Sequence, residues 1–92
     1  MQKEEKHPII KGEFEPNDVK SILFNFLTNK IKFHEMRNFS SIERNGIPDE
    51  ISSNSIERLT HIREQVDKII LEAEKSNKRL KILAELNIQI ID

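Results

Sequence analysis

Apolar and polar residues alternate near both ends of this chain and recur at helical spacing between. Ile10, Gly12 and Phe14 share one parity while Lys11, Glu13 and Glu15 share the other, the period-two signature of a strand with one wet face. This predicts a strand over 9–15. Pro16 ends it and suits the first turn of a helix, with Asp18 placed to favour the positive end of the helix dipole. Val19, Ile22, Leu23, Phe26 and Leu27 follow i, i+3, i+4 spacing and predict a helix over 17–39, about 33 Å long. Residues 40–53 break that pattern, and Asn45-Gly46 and Pro48-Asp49 are turn signals, so a long loop is expected there. A second helix is expected over 54–78. Asn54 and Glu57 have capping-box spacing at its start, and Lys75 lies near its carbonyl end. Last, Leu80, Ile82, Ala84, Leu86, Ile88 and Ile90 alternate with mostly polar neighbours, predicting a strand over 80–91.

The fold class that follows is α+β in the order β-α-α-β, a long antiparallel helical hairpin packed on a two-stranded antiparallel sheet. Residues 1–8 lack periodicity and read as a flexible N-terminal arm; 9–92 reads as a single domain. Because the last strand is nearly twice as long as the first, its C-terminal half has no partner within the chain on this reading. Between Leu86 and Ile91 no charge or proline blunts that edge. A homodimer that pairs two such strands, extending the sheet to four strands, is the economical solution, with Leu86, Ile88, Ile90 and Ile91 as the seam or as an edge for another chain. An arm that itself pairs with the last strand is the alternative.

Composition narrows the chemistry. Lys and Arg number 15 against 16 Asp and Glu, and residues 1–46 and 47–92 are each close to balanced, so no acidic or basic tail serves to find a partner. The absence of Cys excludes disulfides, thiolate catalysis and Cys-based metal sites. With only Gly12 and Gly46, neither a dinucleotide turn nor a P-loop can be built. The first ten residues carry no apolar export segment and no stretch is long enough to span a bilayer, so a cytoplasmic location and no membrane contact are expected.

One cluster invites a functional reading. On a helical wheel Lys30, His34 and Arg37 fall inside the apolar arc of the first helix, and Arg63 falls inside that of the second. With Arg44 they form a candidate anion-binding set at the loop end of the hairpin. Such cations need carboxylates or a ligand to answer them. Carboxylates of Glu43, Asp49 or Glu50 are one answer; a phosphate is the other. His34 with Ser40 or Ser41 is the only pairing that hints at a nucleophile and base, and its spacing matches no catalytic arrangement. Glu57, His61 and Glu64 share a helix face opposite the apolar stripe, so they read as a solvated face rather than a metal site. No cofactor is expected. The basic clusters sit at opposite ends of the hairpin with no continuous stripe between them, which disfavours nucleic acid. The functional expectation is a non-enzymatic, homodimeric interaction module with a possible protein partner; the alternative is an anion-binding protein using the loop-end cluster.

Overall fold

Pro16 sits at the first position of a helix that follows directly on a strand, and it sets the frame of the molecule. In the computed structural model, residues 3–92 are described, in the order β1 (Glu4–Phe14), α1 (Pro16–Asn45), α2 (Glu50–Lys75) and β2 (Leu80–Gln89). The two helices form an antiparallel hairpin packed on the two-stranded antiparallel sheet, the predicted α+β class.

The sheet is longer than the sequence pattern suggests. β1 begins at Glu4, and Glu4 to Pro8 pair with Gln89 to Glu85, so the stretch expected to be a loose arm is strand from Glu4 on. Residues 1 and 2 of that arm lie outside the described residues. The C-terminal half of β2 therefore has a partner on one side within the chain, contrary to the mismatch inferred from the alternation. Two features hid this pairing. Pro8 lies within the strand, which an edge position tolerates. A bulge falls between Pro8 and Ile10, so the two halves of β1 alternate in different phase. Ile10, Gly12 and Phe14 oppose Ala84, Ile82 and Leu80 and turn inward over the helices. Gly12 has φ of 148°, a backbone conformation that only glycine adopts readily. Arg79 bonds the Glu13 carbonyl at 3.2 Å and pairs with Glu15 at 3.3 Å, tying the start of β2 to the end of β1.

The expected loop over 40–53 is mostly helix. α1 continues to Asn45 and stops at Gly46, which is left-handed at φ 79° and donates its N–H to the Ile42 carbonyl. α2 starts at Glu50, capped by Asp49 through the N–H of Ser52 at 2.9 Å. Only residues 46–49 connect the helices, an ordinary length for a helix–helix turn. Two of the serines that looked loop-like, Ser52 and Ser55, are buried, and Ser52 lies against His34 of α1, where a bulkier side chain would hold the helices apart.

The buried apolar residues are few: Val19, Leu27, Ile31, Leu59, Ile70 and Ala73. Leu27, Ile31 and Leu59 form the core between the helices, with Ile56 and Val66 against it. The sheet roofs only the half of the hairpin away from its turn. Ile9, Ile10 and Ala84 line a small apolar cavity together with Leu23, Phe26 and Ile62 of the helices, while every residue from Glu85 onward is exposed. The chain consequently spreads over 50 × 37 × 15 Å with a radius of gyration of 16.6 Å, against about 12 Å for a compact chain of this length. Among the described residues, no helix is long and apolar enough to cross a membrane.

Candidate functional site

Towards the turn, the apolar seam between the helices gives way to a hydrogen-bonded one. His34, Asn38 and Ser41 succeed Ile31 along the face of α1 that meets α2 and the turn. His34 Nδ1 lies 3.1 Å from Ser52 Oγ. Asn38 donates to Ser53 Oγ at 3.2 Å and accepts from the Asp49 N–H at 3.0 Å. Ser41 donates to the Ile47 carbonyl at 2.8 Å. These bonds fix the register of the two helices and close the turn.

Asp49 is the electrostatic centre of this region. Its carboxyl is held below the ordinary carboxylate range first by the Ser52 hydroxyl, then by the Ser52 N–H, against the opposing effect of partial desolvation, with the positive charges of Arg37 and His34 adding to the lowering. The Ser52 hydroxyl thus lies between the Asp49 carboxylate and His34 Nδ1, which is 3.1 Å from its oxygen. These three side chains form one polar chain across the turn. Ser52 is also only 1% exposed, so no substrate reaches it. The trio is a staple joining α1, the turn and α2. The pairing of His34 with Ser40 or Ser41 raised by the sequence does not form, since His34 is engaged with Ser52 and Ser41 with Ile47.

Beside this staple runs an open cleft of about 440 Å³, lined by Phe33, Met36, Arg37, Ser40, Arg44 and Asp49 among others. Phe33, Arg37, Ser40 and Arg44 stand at i, i+4, i+7 and i+11, one stripe of α1. The Phe33 ring has the Lys30 ammonium 5.6 Å and the Arg37 guanidinium 5.7 Å from its centre. Among the described residues neither Arg37 nor Arg44 takes part in an ion pair, although Asp49 shares their cleft.

The five candidate anion-binding residues are therefore only partly gathered. Arg37 and Arg44 both line the cleft. Lys30 lies at its margin on Phe33, and His34 faces the other way, into the helix seam. Arg63 lies about 16 Å beyond Ser52 along α2, too far to join them. It is half-buried, away from the turn. Sequence reasoning missed Ser52, Ser53 and Asn38; the spacing Asp49-x-x-Ser52 is a helix-start signal, but the later Asn54-x-x-Glu57 competes with it. Among the described residues no group of three His, Asp or Glu side chains is placed to hold a metal ion.

The candidate edge strand divides by face. Leu86, Ile88 and Ile90 continue the inner row of β2 past the helices and are about half exposed, while Ile91 lies beyond β2 with opposite parity. Comparison with known protein families, curated proteins and solved structures finds no match to this chain.

Proposed function

We propose that the chain is a small, non-enzymatic interaction module that works as a homodimer, its second copy joining along β2. The observation that carries this reading is the contrast between the two edges of the ribbon. The outer edge of β1 is guarded by Pro8 and by Glu5, Lys6, Lys11 and Glu13, the devices that keep edge strands from pairing. β2 carries only Lys81 and Glu85 along Leu80–Gln89. The exposed surface adds support. It totals 7520 Å², roughly 2,000 Å² more than the about 5,500 Å² typical of a folded monomer of this mass. A standard interface removes about 800 Å² from each partner.

Solution mass by light scattering tests the proposal. The expected value is twice 10.8 kDa, falling to the monomer value when Ile88→Lys sets a charge in the seam. A wild-type mass of 10.8 kDa at every concentration would overturn it. A cytoplasmic setting belongs to the same proposal and rests on the sequence expectation.

A second reading is favoured by the Arg37–Arg44 cleft, where two arginines spaced about 10 Å along the α1 axis have no ion-pair partner among the described residues and suit a phosphorylated ligand. Titration with inorganic pyrophosphate should shift the Arg37 and Arg44 side-chain resonances in the wild type, and Arg37→Gln with Arg44→Gln should abolish the response. Unmoved resonances at low salt would end that reading.

A further inference from the structure

The inner row of β2 runs unbroken from Leu80 through Ile82, Ala84 and Leu86 to Ile88 and is continued just past the strand by Ile90, yet helices lie beneath only its first half. The Ile90 N–H donates to the Lys3 carbonyl at 2.7 Å, which fixes the alternation along β2. Even-numbered residues turn their backbone polar groups to β1, and Lys81, Leu83, Glu85 and Asn87 turn theirs to the free edge. Next to that edge lies a cleft of about 260 Å³ lined by Val66, Ile69 and Ile70 of α2 with Leu80, Ile82 and Leu83, among others. None of its lining residues comes from β1, and Ile69 is 56% exposed. One half of the strand thus lacks a helical layer, while the helical layer beside the other half lacks a roof.

Resting on the homodimer reading above, we infer that β2 pairs antiparallel with β2 of a second copy about a two-fold axis at Leu86, so that Ile88 and Ile90 of each copy close the cleft over α2 of the other. Parity restricts the register, because inner residues stay on the inner face only when they oppose residues of like parity. An axis at Glu85 sets two carboxylates directly opposite, which is destabilising. An axis at Ala84 carries Ile90 past the start of the partner strand. At Leu86, Ile88 faces Ala84 of the second copy and Ile90 faces its Ile82, while Glu85 faces Asn87. Long aliphatic side chains then alternate with a short one across the seam. The arrangement is isologous and closed, so it ends at two copies instead of growing into a fibre.

The chain has no Cys, which makes single-cysteine variants clean reporters. On air oxidation two Leu86→Cys thiols would join as a disulfide across the axis, where directly opposed residues bring their Cα atoms to about 4.5 Å. Leu83→Cys, about 20 Å from its copy in this register, should remain unbridged. An equimolar mixture of Ile90→Cys and Ile69→Cys chains should join through a short bis-maleimide, which reads the roof over α2 directly. A dimer by mass in which Leu86→Cys fails to bridge, or Leu83→Cys bridges as readily, overturns the register and leaves the homodimer standing. Failure of the mixed pair to join while Leu86→Cys bridges overturns the roof. A monomeric mass overturns both.

Discussion

Asp49 joins three structural roles in one residue: it caps α2, it receives the Ser52 hydroxyl, and its N–H is held by Asn38. Because the fold lowers the pKa of this carboxyl, the unfolded chain holds the proton more tightly. Stability from the group therefore rises with pH across the interval between the folded and unfolded values. The contribution is fully present above the ordinary carboxylate pKa and is lost as pH falls through the lowered folded value. Thermal midpoints of the wild type and Asp49→Ala should differ at neutral pH and converge as the solution is acidified through that interval. A gap that stays constant with pH would mean the carboxylate charge is not what holds the turn. His34 and the buried Ser52 are one step inward from this residue, and their contact makes the same cluster a brace between the helices.

At the scale of elements, the turn between the helices depends on Gly46. Its φ of 79° is left-handed, and a Cβ built there meets nothing within 4 Å. The cost of Gly46→Ala is therefore backbone conformation alone, about 1–2 kcal/mol, read as a lower urea midpoint with an unchanged slope. No loss would mean that α1 can end in another way. The elements also show where the sequence is legible. The helical stripe from Val19 to Leu27 and the alternation of β2 are long periodic runs, and each forms the element its period implies. The ends of elements were harder to read because their signals compete. Ser40 and Ser41 favour local turns but lie inside α1, and a serine-rich start to α2 imitates a loop while supplying small buried residues. The N-terminal half of β1 carries no usable alternation, since its inner positions are charged or aromatic-polar residues facing solvent beside Leu86 and Ile88. For the candidate site, Arg44 was expected in the loop but lies on the last turn of α1, while a helical wheel gathered Lys30, His34 and Arg37 on one arc. It could not separate His34, which turns to the seam, nor place Arg63, because a wheel records angle and discards distance along the axis.

The whole molecule is thin and extended, and its sheet joins residues near opposite ends of the described chain: Glu4 pairs with Gln89, and Phe14 with Leu80. The hairpin, by contrast, closes through four connecting residues, 46–49. Pairing between segments so distant in sequence must overcome the entropy of closing nearly the entire chain, whereas the helices meet across a short turn. This separation implies an order of events: the helical hairpin assembles first, and the ribbon zips afterwards from the Phe14–Leu80 end, where the intervening helices bring the strands together, towards Glu4 and Gln89. Hydrogen exchange in the native state should show the same sequence in reverse, with amides between Glu85 and Gln89 opening before those between Leu80 and Ala84, and the α1–α2 seam around Ile31 and Leu59 opening last. Uniform exchange across β2 would show the ribbon to be a single cooperative unit. If a second copy takes hold of β2 as proposed, association protects the part of the chain that closes last, and the rate of dimer formation becomes tied to the slowest step of folding.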